Sequence, residues 1–193
     1  MEKSLKQELK QAKRKSAKPM LRVSMISMTM MFAGLTSAYV VSRKRDDWVS
    51  FDLPSAFYIS TLLIILSSIA FMLAKFFIKK DNRKLTTLFL ISTLILGAGF
   101  VLFQFEGFNQ LFNSGLVFAG AQSTVKSSFI YGITIAHLAH IAAGIIVLLV
   151  VIVNHFKNKY SAKDSLGLEL GAIFWHFVDI LWIYLFLFFY FIR

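Results

Sequence analysis

The chain has no cysteine, only two prolines among 193 residues, and 10 acidic residues against 21 basic ones. Without cysteine there are no disulfides, thiolate metal sites, cysteine-held iron–sulfur clusters or covalently attached haem, so histidine and carboxylate remain as the strong metal ligands. The two prolines, Pro19 and Pro54, leave everything after residue 54 free of this helix breaker. A net charge of +11 would suggest nucleic acid in a soluble protein. Here the positive residues lie at the N-terminus and in short segments between long apolar runs, where they act as topology signals and nucleic acid is not a partner. The surplus is apolar: 57% hydrophobic residues, 16% aromatics and a mean hydropathy of +0.67 exceed what a soluble domain of this length could bury. That surface needs lipid.

Five apolar runs are long enough to cross a hydrocarbon core of roughly 30 Å, which takes about 20 helical residues. They fall at about 20–42, 54–77, 85–105, 128–154 and 168–192. Pro19 and Pro54 stand at the starts of the first two, where a missing N–H costs nothing. The sequence therefore predicts an all-α polytopic bundle of five transmembrane helices at 20–193, preceded by a basic cytoplasmic segment at 1–19. Met1 to Arg22 is polar and lysine-rich, with no small-residue cleavage site of a signal peptide.

Lys and Arg counts on alternate sides set the orientation. The N-terminal segment carries eight (Lys3, Lys6, Lys10, Lys13, Arg14, Lys15, Lys18, Arg22), the second connection five (Lys75, Lys79, Lys80, Arg83, Lys84) and the fourth three (Lys157, Lys159, Lys163). The other side has five: Arg43, Lys44 and Arg45, with Asp46 and Asp47 following, then Lys126 and Arg193. Sixteen against five places the N-terminus inside and the C-terminus outside. Short connections predict that consecutive helices are antiparallel neighbours. The longer one, 107–127, contains Asn109, Gln110, Asn113, Gly115, Gly120 and Gln122, with room for a short interfacial helix at Phe108 to Phe112.

Ionisable groups inside a membrane are costly and need a partner or a task. Besides Gln104 and Glu106 near the end of the third helix, the candidates are His137 and His140 in the fourth and Glu169, His176 and Asp179 in the fifth. His137 and His140 lie roughly 12 and 16 Å from the outer end of their helix at about 1.5 Å per residue. His176 and Asp179 lie at similar depths from the opposite end, so the four share a layer near the midplane. Gly132, Ala136, Ala139, Ala142, Ala143 and Gly144 make the fourth helix slim enough for close approach. The preferred reading is a packing contact in which His137 or His140 meets His176 or Asp179. Two alternatives stand beside it: haem ligation by His137 or His140, for which His176 is the other deep histidine, and a proton relay through Glu169, His176 and Asp179. Two histidines three apart on one helix cannot clasp a haem from both faces. His155 is placed at the inner membrane surface.

Several segments carry a family pattern. Phe174 to Trp182 reads FWHFVDILW, with Trp175, His176, Asp179 and Trp182, preceded by Glu169. It resembles the last-helix WHFVDxxW signature of cytochrome c oxidase subunit III. His137-Leu-Ala-His140 with Gly144 is similar to that family's HxxHxxxG helix, and Thr93, Gly97, Phe100 and Gln104 to its TxxLGxxFxxxQ helix. Pro54 followed by Ser60-Thr61 and Ser67-Ser68 resembles its PxxxxxNTxxLxxSS helix, with Ser60 in place of Asn. Phe32-Ala33-Gly34-Leu35 and Ala38-Tyr39 resemble its FFAGLFAAY helix. Two positions depart: the glutamate of that last helix falls at Met28, and Gly107 stands where a glutamate often follows the glutamine, so Glu106 receives no role.

The resemblance covers about residues 20–193 and implies the short five-helix bacterial form of the subunit, a multi-pass protein of the bacterial inner membrane. It implies no catalytic, cofactor or metal residue in this chain, with haem and copper in partner subunits. The implied partners are the catalytic subunit I, other oxidase subunits and phospholipid. It further implies support of proton uptake and turnover during aerobic electron transport. Subunit III of a quinol oxidase, or a haem-bearing membrane anchor of another respiratory enzyme, is the alternative. The aromatic load of the first two helices (Phe32, Tyr39, Trp48, Phe51, Phe57, Tyr58) leads to a further expectation, that acyl chains occupy a groove between those two helices and the other three.

Overall fold

The computed structural model describes residues 2–45, 48, 51–120, 123–160 and 165–192, with side chains at residue 12 and from residue 14 onward. The charge and loop readings at Asp46, Asp47, Gln122, Lys163 and Arg193 lie outside the described residues, as do the side chains of Lys3, Lys6, Lys10 and Lys13. Five helices follow one another: α1 Glu2–Ser42, α2 Ser55–Lys79, α3 Arg83–Asn113, α4 Val125–Phe156 and α5 Leu166–Phe191. Each contains a stretch long and apolar enough to cross a membrane.

The helix starts and stops have local causes. Pro54 precedes α2 with φ −55°, ready for a helix start. Lys80 to Asn82 turn the chain straight into α3, with Asp81 in the left-handed region (φ 55°) and the Asn82 side chain accepting the Leu85 N–H at 3.2 Å. Because that link is so short, α2 and α3 form a closely packed hairpin. Gly115 ends α3 at φ +78°, donating to the Phe112 carbonyl while Leu116 donates to that of Leu111, a Schellman closure that a residue with a Cβ adopts only under strain. A reciprocal Thr124–Ser127 capping box starts α4.

Two boundaries correct the sequence reading. Pro19 does not begin α1 but lies exposed within a continuous 41-residue helix. Alanine, lysine, glutamine and glutamate before it are strong helix formers, and an exposed site lets solvent take the carbonyl that proline leaves unpaired. The third helix runs to Asn113, so Phe108 to Phe112 is its continuation and not a separate interfacial helix. Gly107 does not stop it, because the Phe57 ring fills the space beside that glycine: an added Cβ would lie 2.3 Å from the ring.

Helices α2, α3, α4 and α5 close into a ring in which each packs on the next and α5 returns to α2. Helix α1 lies outside it, against α4 and α5. The expectation that helices joined by short connections are neighbours thus fails at the first pair, since among the described residues α1 and α2 do not pack together. The cause lies in the partners of α1. Its buried Phe32 sits against His137 and His140 of α4, Thr36 shares a 3.1 Å hydrogen bond with Tyr184 of α5, and the Tyr39 hydroxyl donates to the Ile192 carbonyl. The connection 43–54 is long enough to carry the chain past α5 to α2. Among the described residues α1 and α2 therefore form no paired unit that could wall a groove against the other three helices. Grooves flank α1 instead, the larger of about 550 Å³ between α1, α4 and α5.

Polar contacts tie each end of the bundle. At the end where α3 and α5 begin, Lys18 meets Glu169 at 2.8 Å, and Arg83 reaches Asn158 and the Tyr160 carbonyl. There His155 is buried and its Nε2 pairs with the Thr87 hydroxyl at 2.9 Å, so it is not the surface histidine the sequence suggested. At the opposite end the buried Lys126 ammonium donates to the Phe51 carbonyl and lies 4.4 Å from that residue's ring centre.

Candidate functional site

The interior of the ring is organised by two indoles and a ladder of hydroxyls. Trp175 and Trp182 stand seven residues apart on α5, and so point the same way into the ring. Trp175 is 1% exposed and touches three neighbouring helices. Its Nε1 donates to Ser67 of α2 at 3.1 Å, and its ring occupies the space that a Cβ at Gly97 of α3 (2.8 Å) or Gly144 of α4 (3.3 Å) would enter. Trp182 donates from Nε1 to Thr61 of α2 at 3.0 Å and packs against Phe57, Phe100 and His137 at ring separations of 5.7, 5.3 and 5.2 Å.

Helix α2 supplies acceptors for both neighbours. Ser60 and Thr61, then Ser67 and Ser68 a heptad later, present two hydroxyls at each of two levels. Ser60 accepts from Gln104 Nε2 of α3 at 2.9 Å, and Thr61 accepts from Trp182. Ser67 accepts from Trp175 while donating to the Thr93 carbonyl of α3 at 3.2 Å, and Ser68 Oγ lies 2.6 Å from His176 Nδ1. Ser60 and Thr61 also donate to the Phe57 carbonyl within their own helix. Each of these two hydroxyls thereby uses its proton locally and its lone pairs across the interface, the economical arrangement where no water competes.

The midplane residues are distributed differently from the expected α4–α5 contact. His137 is fully buried among the rings of Phe32, Phe100 and Trp182, and neither imidazole nitrogen has a hydrogen-bond partner among the described residues. His140 turns toward α1, with Nδ1 at 2.7 Å from its own helix's Ala136 carbonyl and its ring beside Phe32. His176 pairs with α2 and Glu169 with α1, while Asp179 is 1% exposed and neither of its carboxyl oxygens has a hydrogen-bond partner of good geometry among the described residues. Neither histidine of α4 makes a hydrogen bond to His176 or Asp179. The reason is steric: α4 meets α5 through Gly144, where Trp175 and Phe174 fit. Ala139, Ala142 and Ala143, which looked like a close-approach surface, are exposed. Glu169, His176 and Asp179 face three different environments and do not form a file along α5.

Sequence reasoning grouped the carboxylates and imidazoles with each other and overlooked the hydroxyls as their partners. The available signal was two adjacent hydroxyl pairs seven residues apart in an otherwise apolar run, since an indole N–H buried in lipid must find an acceptor. Among the described residues no three histidine, aspartate or glutamate side chains converge as a metal-ligand set.

Comparison with known proteins places this architecture. The family model described as cytochrome c oxidase subunit III matches residues 49–193. Among similar chains, the cytochrome c oxidase subunit 3 of Corynebacterium diphtheriae is 30% identical over 172 residues, covering 85% of this chain and 82% of its own. That of Thermostichus vulcanus is 30% identical over 174 residues, 86% and 82% respectively. That of Alkalihalophilus pseudofirmus is 28% identical over 155 residues, 80% and 73% respectively.

Proposed function

Because the chain belongs to the cytochrome c oxidase subunit III family, we propose that it acts as the helical support subunit of a haem–copper oxidase, packed on the catalytic subunit and holding no redox centre itself. The observation carrying this reading is the use made of the motif residues. Gln104, Trp175, His176 and Trp182 are engaged by hydroxyls of α2, so the polar chemistry of these residues goes into holding α2, α3 and α5 together. The electron donor assigned to the complex is cytochrome c, as in the names of the relatives.

Tagging the chain in its native host and purifying it in mild detergent tests the reading. It should co-purify with a haem-bearing subunit whose spectrum survives deletion of this chain while sustained turnover falls. Recovery of the chain without any haem protein would defeat the proposal.

Phospholipid and orientation complete the proposed picture. The groove between α1, α4 and α5 is walled by Leu21, Met28, Ile146, Val150 and Leu170 and has Asn154 and Tyr160 at one end, which suits an acyl chain with its polar portion at the membrane surface. The excess of basic residues on the N-terminal side puts that side in the cytoplasm of a bacterial inner membrane. Reporter fusions at Lys80 and Gly120 should accordingly report opposite compartments, cytoplasmic and periplasmic. The same compartment at both would remove a membrane crossing from this picture.

A further inference from the structure

The group not accounted for by the hydroxyl ladder is Asp179. It lies four residues after Trp175 and three before Trp182, on the same inward stripe. The indole N–H groups on either side are taken by Ser67 and Thr61. Neither carboxyl oxygen has a hydrogen-bonding partner of good geometry among the described residues, although a buried carboxyl that is left so is costly. The polar side chain beside it is Ser68, whose oxygen is 2.6 Å from His176 Nδ1. His176 is half-buried at the seam between α2 and α5. At this level polar atoms follow one another from the ring interior to its outer surface. His137, by contrast, is shut in by aromatic rings.

We infer that Asp179 exchanges its carboxyl proton with the outside through Ser68 and His176, at the seam between α2 and α5. With Nδ1 as acceptor, the Ser68 hydroxyl donates to His176 and its oxygen faces the carboxyl. The proton of Asp179 moves to Ser68 Oγ as the original hydroxyl proton moves to Nδ1. The resulting imidazolium releases its Nε2 proton to a water molecule entering the seam, which the exchange requires as its proton acceptor and donor. Return of a proton to Nε2 and reversal of the two transfers restore the carboxyl, so O–H and N–H bonds alone change and no charge accumulates. The exchange runs sideways through α2 and not along α5, since Glu169 is held by Lys18 at the bundle end.

The inference uses the oxidase reading only for its setting, and the test separates the two. Infrared spectra of the full chain in lipid nanodiscs, and of the complete oxidase, are followed after transfer from H2O to D2O. A carboxylic C=O band absent in Asp179→Asn identifies the group. In the native chain the band should shift promptly. Ser68→Ala should slow the shift by about tenfold or more, the effect of one lost hydrogen-bonded step. Ser68→Thr, which retains the hydroxyl, should restore the native rate, and His176→Phe should slow it as Ser68→Ala does. Native exchange rates in both Ser68→Ala and His176→Phe would overturn the inference, as would the lack of any band lost in Asp179→Asn. Failure of the oxidase reading would appear instead as absence of haem from the purified complex, whatever the band does.

Discussion

Truncating Trp175 to alanine should destabilise the bundle by about 3–5 kcal/mol, the range expected for a fully buried tryptophan. The indole touches all three other helices of the ring, through Ser67, Gly97 and Gly144. Its removal leaves a cavity too enclosed for lipid to fill and deprives Ser67 of its donor. Equilibrium unfolding in mixed micelles with increasing SDS fraction would measure the loss. Changing the glycine distinguishes a specific fit from general bulk. Gly97→Ala places a Cβ 2.8 Å from Cη2 of Trp175, and overpacking of that kind costs about 1–3 kcal/mol. In a Trp175→Phe background the smaller ring lacks the clashing atoms, so the cost of Gly97→Ala should largely vanish. An equal cost in both backgrounds would show that the indole does not fill that space.

Asp179→Leu should move stability the other way, by about 1–3 kcal/mol in favour of the folded bundle. Leucine keeps the branched skeleton of aspartate and removes two buried oxygens that have no hydrogen-bonding partner of good geometry among the described residues. Ordinary core substitutions do the reverse, which makes the sign informative. The same SDS titration measures it, and a destabilisation above about 1 kcal/mol would mean that the carboxyl has a strong partner in the folded chain. A stabilising result would also indicate that the acid is retained at a cost, as expected of a group kept for proton exchange and not for packing.

Charge and apolar length made the five spans legible in the sequence. Arg83, Lys84 and the lysines at 75, 79 and 80 bracket the α2–α3 turn. The faces were less legible for a physical reason. In water an apolar stripe shows which side of a helix is buried, whereas in lipid both sides are apolar and the sign of the pattern is lost. The alanines of α4 show the ambiguity: Ala139, Ala142 and Ala143 resemble a contact surface but face outward, while Gly144 alone receives Trp175. Polar matching would have done better than counting depth. Two indole N–H groups and one glutamine amide at heptad-related levels require acceptors, and α2 has the hydroxyls to supply them.

The ladder on α2 also has a consequence for biosynthesis. Ser60 meets Gln104 after 44 further residues, but Thr61 is separated from Trp182 by 121 residues and Ser67 from Trp175 by 108. Translation at about 5–20 residues per second puts the second kind of pairing roughly 4–16 s behind the first. During that interval α2 does not expose a bare hydroxyl proton at Thr61, because that side chain already donates to the Phe57 carbonyl of its own helix. The half-built bundle can therefore wait in the bilayer without penalty on the α2 side. It is the arriving α5, with two indole N–H groups and no acceptors of its own for them, that must find its place at once, so the last helix to be made closes the ring and reads the register of all the others.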